Sequence, residues 1–369
     1  MKKAFSLNIL IVTLVVSAMF ATVANAQNAD EIYLKDYRPQ SIYNTPQTYI
    51  EKAAFPVIDV HSHPYANSPD EVARWTHIMD ELNIRKTVIL TNAIHEEFDS
   101  LFHVYNAYPE HFEVWCGLDV RDFDSPDYAD RAIAELERCH SMGGKGIGEL
   151  SDKGWGVRSG PMTGDNDHLP HVNDPALRPV FRRAAELGMP VNIHVADPLW
   201  MYQPMDETND GLMVAWRWRL DNRENIIDHS GMMDVLEDAV RNNPETIFIA
   251  CHYANLSYDL NRLGEMLDNY PNLYADISAR FSEIANIPRF VKKFFIQYQD
   301  RLLYGTDLGY NSGMYRTTFR ILESADEHFY DHDVFQRHWS LNGLNLPDEV
   351  LEKVYYKNAK KLFERLRQE

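Results

Sequence analysis

Val57-Ile58-Asp59-Val60-His61-Ser62-His63 is the stretch from which the fold of this chain can be read. It is a short apolar run ending in an H-x-H pair, and it reads as a β-strand. Four later runs end the same way: Gly146-Ile147-Gly148-Glu149, Pro190-Val191-Asn192-Ile193-His194, Ile247-Phe248-Ile249-Ala250-Cys251-His252 and Leu302-Leu303-Tyr304-Gly305-Thr306-Asp307. Imidazoles and carboxylates this far apart in sequence converge only if the fold gathers strand ends. A parallel barrel does so, because its strands share a direction and their C-terminal ends share one mouth. Three or four imidazoles and a carboxylate at that mouth suit a divalent transition metal.

Working outward, strand-like and helix-like runs alternate. Helical stretches are expected near Asp70–Asn83, Ser100–Tyr108, Tyr128–Met142, Pro175–Leu187, Met232–Asn243, Leu256–Tyr270, Pro288–Tyr298 and Tyr315–Glu327. Asp174-Pro175 reads as an N-cap followed by a first-turn proline, and Gly143-Gly144 and Gly188 as helix stops. Eight β-α units favour a (β/α)8 barrel over a doubly wound sheet, within an expected barrel region 56–369. Long loops follow strands 4 and 5. The first, 151–173, carries Trp155, Arg158, His168 and His171. The second, 196–229, carries Trp200, Tyr202, Trp216 and Trp218. Both should overhang the mouth, as a lid or stacking platform, or as a small extra core on the rim.

The first 26 residues read as a secretory signal peptide. Lys2 and Lys3 precede the apolar run 7–16, and Ala24-Asn25-Ala26 is a cleavage site before Gln27. The apolar run is too short for a membrane span, and no cysteine follows the cut, so no membrane anchor is expected. The mature protein is expected to be periplasmic or secreted, with residues 27–55 as a leader packed outside the barrel. Loss of the two lysines takes the formal charge from −19 to −21. That balance argues against nucleic acid as a partner and leaves a small-molecule substrate. A homo-oligomer is neither required nor excluded. Cys116, Cys139 and Cys251 form no disulfide framework. Cys251, adjacent to His252 in a strand, should point away from a metal.

Strand periodicity puts Asp59, His61 and His63 on one face, with Asp59 deeper, as a partner to a ligand and not a ligand itself. Lys145 and Glu149 share a face, with Glu149 nearer the mouth. Arg280, Arg121 and Arg158 each follow a strand end and could grip a carboxylate, Arg280 first among them, with Trp155 beside Arg158. Asn255 either orients a ligand or caps the next helix, capping being favoured.

With its H-x-H strand, His194, His252 and the Y-G-T-D strand end, the chain resembles the amidohydrolase superfamily. Over roughly residues 56–365 it is similar to the amidohydrolase-related branch of metal-dependent TIM-barrel hydrolases, which also contains lactonases and decarboxylases. The resemblance implies that His61, His63, His194 and Asp307 bind a catalytic metal, commonly zinc. It implies that His252 ligates a second metal or polarises the substrate, and that Glu149 bridges two metals or serves a second site. One ion and two both stay open, and the donors suit manganese, iron and cobalt as well. Such a metal activates water to hydroxide. Asp307 would take the water proton and pass it to the leaving group, and His252 would stabilise the oxyanion. The expected activity is hydrolysis of an ester, lactone or amide of a small substrate, such as a carbohydrate-derived or aromatic acid. A decarboxylase on the same site and a non-catalytic periplasmic binding protein are the alternatives.

Overall fold

The structure, a computed structural model, describes residues 29–158 and 169–368. The signal-peptide reading and His168 lie outside these. Residues 29–38, taken by themselves, hold two one-turn 3-10 helices, Ala29–Glu31 and Leu34–Asp36. No described helix is long and apolar enough to cross a membrane.

From residue 39 onward the alternation seen in the sequence becomes eight strands: β1 Val57–Ser62, β2 Ile84–Leu90, β3 Phe112–Trp115, β4 Ile147–Asp152, β5 Val191–Val195, β6 Phe248–Ala250, β7 Leu273–Asp276 and β8 Leu302–Leu303. Neighbours pair in parallel through β1-β2-β3 and through β4-β5-β6-β7-β8. A parallel bridge between Cys116 and Ile147 joins the two runs. At the other seam, Val60 N donates to Tyr304 O at 2.9 Å, and Thr306 N and Asp307 N donate to His61 O at 3.2 and 2.9 Å. The sheet is thus closed into a (β/α)8 barrel.

The helices between the strands are α1 Pro69–Leu82, α2 His95–Tyr105, α3 Tyr128–Met142, α4 Arg178–Glu186, α5 His229–Asn242, α6 Leu260–Asn269, α7 Pro288–Gln297 and α8 Ser312–Glu323. Their boundaries follow local chemistry. Ser68 caps α1, accepting from Glu71 N, while Glu71 Oε2 accepts from Asn67 N: a capping box. Asp174 caps the turn before α4, and Gly143 ends α3 at φ +117°. The main apolar core lies between strands and helices. A second cluster fills the barrel interior, where Ile58, Val60, Val88, Leu90, Ile249 and Leu303 meet Leu362 and Phe363 of the final helix Asn358–Leu366. Residues 39–55 lie against the segment after α8: Thr48 bonds Asp326 through its amide and its hydroxyl, and Ala54 N donates to Glu323.

Three local expectations are corrected. First, β1 does not keep strict alternation. Its register against β2 slips between Asp59 and Ser62, so Ile58 and Val60 face the interior cluster while Asp59 reaches Tyr315 of α8. Second, β6 stops at Ala250. His252, Tyr253, Ala254 and Asn255 follow with φ between +54° and +59°, and α6 starts only at Leu260, capped by Asp259 and not by Asn255. Third, the left-handed turn at His252 breaks strand alternation, so Cys251 does not point away from the centre. Its sulfur lies within 4.8 Å of ligand atoms of His61 and Glu149.

The rim loops favour the extra core over the lid. Met201, Ala215 and Leu220 cluster with Trp155, Trp200 and Tyr202, whereas Trp216 and Trp218 are 61% and 62% exposed. A short strand, Val157–Arg158, runs antiparallel to β4.

Candidate metal centre

The strand ends bring His61, His63, Glu149, His194, His252 and Asp307 together at the mouth. Each imidazole has one nitrogen tied back to the protein. His61 Nδ1 donates to Asp276 Oδ2 at 2.8 Å, and His63 Nδ1 to Leu90 O at 3.0 Å. His252 Nδ1 lies 3.1 Å from Ser278 O and 2.7 Å from Ser278 Oγ, and His194 Nε2 is 3.2 Å from Asp197 Oδ1. These bonds fix the orientation of each ring and turn its other nitrogen to the centre, where a bound cation would take the lone pair in place of a proton.

What those free nitrogens face is carboxylate. His63 Nε2 lies 3.1 Å from Asp307 Oδ1 and 3.3 Å from Glu149 Oε2. His194 Nδ1 abuts Glu149 Oε1. His252 Nε2 lies 3.7 Å from Asp307 and 3.9 Å from Glu149. His61 Nε2 is buried and has no hydrogen-bond partner among the described residues. A lone pair orphaned this way fits a cation, because leaving a buried polar atom unmatched costs about 1–3 kcal/mol.

Two of the donor groups, with no member in common, hold the strand-end residues between them. His61, His63 and Asp307 have ligand atoms mutually within 4.8 Å, and so do Glu149, His194 and His252. His194 thus sits with Glu149 and His252, while Glu149 contacts rings of both groups through its two oxygens. Lys145, the other strand-4 candidate, is exposed.

Electrostatics reinforce the picture. Burial alone would lower the His61 pKa, but Asp276 and then Asp307 and Glu149 outweigh it and lift it to about 9. His63 and His194 are also raised, by their carboxylate partners against burial. Burial would raise Glu149 and Asp307, yet the neighbouring imidazoles hold both below the usual carboxylate range. Anionic oxygens facing imidazoles that favour a positive charge are a preformed cation environment. His252 differs: burial, then Arg280 and the other rings, holds it well below its ordinary value, so it stays neutral. With Nδ1–H given to Ser278, neutral His252 presents an acceptor lone pair and not the donor an oxyanion needs.

Several contributors lie outside the candidate ligand set, Asp276 among them although it ends β7. Asp276, fully buried, accepts from His61 Nδ1, His252 N and Ser278 N. Asp59 accepts from Thr306 N and Oγ1 at 3.0 and 2.7 Å and so fixes the turn that holds Asp307 at φ +53°. Burial lifts the Asp59 pKa to about 7 against those bonds. Tyr65 donates to Asp307 Oδ1 at 3.1 Å. Tyr65 and Asp197 lie just beyond strands β1 and β5, on loops whose course is not written in strand periodicity.

Of the substrate-binding candidates, Arg280 is buried near the centre, donating to Asn255 Oδ1 at 2.6 Å. Asn255 is therefore a positioning residue, its own amide fixed to Val195 O and Ala196 O. Arg158 is exposed, over the Trp155 ring at 5.3 Å, and no described contact joins that pair to the centre. Arg121 is engaged by Asp119. His171 binds Asp152, and His229 binds Asn255 O.

Among solved structures, an uncharacterised TIM-barrel protein from Bordetella bronchiseptica superposes with a TM-score of 0.54 at 16% identity, over 85% of this chain and 99% of that one. A dihydroxybenzoic acid decarboxylase from Polaromonas with bound manganese gives 0.53 at 14%, over 84% and 97%. A 2,6-dihydroxybenzoate decarboxylase from Rhizobium gives 0.50 at 16%, over 85% and 99%. At these identities the likeness is one of fold. No curated protein matches the chain significantly. The amidohydrolase family model matches residues 58–365, a span that holds the barrel from Ile58 of β1 onward and every candidate ligand described above, and the chain belongs to that family.

Proposed function

We propose that the protein is an exported metal-dependent hydrolase acting on an ester, lactone or amide of a small substrate. The observation that carries this reading is the position of Glu149, whose two oxygens face His63 of one donor group and His194 of the other. A carboxylate spanning two sets of imidazoles suits a pair of divalent cations, with zinc first and manganese, iron and cobalt also compatible. When bound, such cations supply an activated water and a Lewis acid for the carbonyl.

The chain's own residues supply the rest. Asp307 is anionic and held by Tyr65 and His63, at the edge of the centre. It can accept a proton from the attacking water and return it to the leaving group. His61, His63, His194 and His252 orient lone pairs inward, and His252 acts as a ligand in this reading and not as an oxyanion donor. The single-ion set His61, His63, His194 and Asp307 is the simpler alternative.

A decarboxylase is the second reading, favoured by the fold shared with the Rhizobium and Polaromonas decarboxylases. Turnover in 18O-labelled water separates the two, since only hydrolysis must place solvent oxygen in the product. Asp307→Asn should retain bound metal and lose roughly 10²–10⁴-fold in turnover. Unchanged turnover would remove Asp307 from the mechanism, no turnover of any acyl substrate by the wild type would remove the hydrolase, and no release of carbon dioxide from carboxylic acids either would leave a binding protein. Export is tested by fractionating the native host, with the mature N-terminus expected at Gln27.

A further inference from the structure

Beside the centre, two arginines share one carboxylate. Arg280 follows β7 at the left-handed turn of Ala279, and Arg337 comes from the long segment after α8. Glu283 lies between them, 3.6 Å from Arg280 Nε and 3.7 Å from an Arg337 amino nitrogen. Its Oε2 also accepts from Ser257 Oγ at 3.1 Å. These ion-pair distances exceed hydrogen-bond length. The Nε–H of both arginines is buried with no hydrogen-bond partner among the described residues. Their side chains are only 11% and 13% exposed.

The cluster therefore holds two positive charges against one negative, with two charged donors unspent. A buried, uncompensated charge is costly, and an anionic ligand removes that cost. Arg280 is held by Asn255, which is itself anchored to the end of β5 and belongs to the same left-handed turn as His252. Those contacts put the cluster on the flank of the metal centre. Aromatic rings pack beside the cluster. Trp339 lies under the Arg337 guanidinium at 5.7 Å and meets the Trp200 ring edge-on at 5.9 Å.

We propose that Arg280 and Arg337 form a clamp for a substrate carboxylate, set apart from the bond that is cleaved, with the Trp339–Trp200 pair against the acid's apolar body. The proposal deepens the hydrolase reading and rests on it. A carboxylate matches the planar fork of a guanidinium, and its single charge balances the excess of one. Glu283 keeps the two arginines from repelling each other before substrate arrives. Arg337 carries no motif, which is why sequence reasoning reached Arg280 alone.

The test uses benzoate as probe on the metal-loaded mature chain, read by tryptophan fluorescence and calorimetry. Benzamide is the neutral control, and cation content is measured on the same samples. Wild type should bind benzoate saturably and benzamide at least tenfold more weakly. Arg337→Met alone could destabilise Glu283, so the double variant Arg337→Met/Glu283→Gln keeps the cluster at one charge pair fewer. It should retain the thermal midpoint and cation content while losing at least tenfold in benzoate affinity, and Arg337→Lys should recover only part. Equal affinity for benzoate and benzamide, benzoate affinity unchanged in the double variant, or no saturable binding by wild type overturns the clamp. A sample with no cation but arginine-dependent benzoate binding fails the metal reading and keeps the clamp. A loaded sample with arginine-independent binding does the reverse.

Discussion

Asp276 makes no contact with a substrate in this reading, yet it determines which nitrogen His61 turns to the centre. It accepts from His61 Nδ1 at 2.8 Å and from His252 N at 3.0 Å, so it also pins the left-handed backbone that aims His252. Residues in such conformations cost roughly 1–3 kcal/mol each and persist only where surroundings over-determine them. Replacing Asp276 with Asn puts an amide donor against His61 Nδ1–H, or forces the ring into the other tautomer with N–H toward the metal. Asp276→Asn should therefore weaken cation binding about 10–100-fold, measured by competition with a chromogenic chelator. Affinity equal to wild type would show that the His61 tautomer is set by something else. Ser278 is the natural comparison, since its hydroxyl lies 3.1 Å from His61 Nδ1 and 2.7 Å from His252 Nδ1.

Between elements, Glu135 ties α3 to the start of α2. Its carboxylate accepts from His95 N at 2.7 Å, in the first turn of α2, where backbone donors have no helical partner. Arg138 binds it through Nε and Nη2. Burial would raise its pKa, but Arg138 and His95 prevail and bring it from 4.5 down to about 2. A depressed carboxylate contributes stability that is fully present above its unfolded value and lost as pH falls through the folded one. Glu135→Gln should cost about 1.5–3 kcal/mol at pH 7 in urea denaturation, and the gap to wild type should close between pH 4.5 and 2. A gap that stays constant across that window would mean the charge is not what matters. Elements like α3 were legible from sequence because a 3.6-residue apolar stripe and a terminal glycine are local signals, and its span Tyr128–Met142 is the one expected. The convergence of His61, His63, Glu149, His194, His252 and Asp307 was legible because strand ends in a barrel meet. The slip at Asp59 and the turn at His252 were not, because they depend on register with β2 and on Asp276, neither of which local sequence encodes. Asp276 itself was visible as a strand residue, but its partner lies 215 residues away.

For the whole molecule, the candidate ligands come from the ends of β8 and β1 on one side of the mouth and of β4, β5 and β6 on the other, so cations held with Glu149 between the two groups would link two runs of strands that do not neighbour each other in the sheet. The seam between β8 and β1 is where this matters most. It is held near the mouth by the backbone bonds of Thr306 and Asp307 to His61 O and by Asp59 on Thr306. Asp307 and His61, one from each side of that seam, belong to the same donor group. A cation that binds only the folded barrel adds RT ln(1 + [M]/Kd), about 2.7 kcal/mol at a hundredfold excess over Kd and about 4.1 at a thousandfold. Its removal also leaves Glu149 and Asp307 facing each other with only imidazoles between them. Dialysis against a chelator should lower the apparent unfolding midpoint, and zinc added back should restore it in proportion to bound metal. The His61→Ala/His63→Ala variant should start at the lower midpoint and gain nothing from zinc. If elemental analysis shows the cation gone while the midpoint is unmoved, the centre is preorganised by Asp276, Asp59 and Ser278 alone, and the cation acts in chemistry without bracing the barrel.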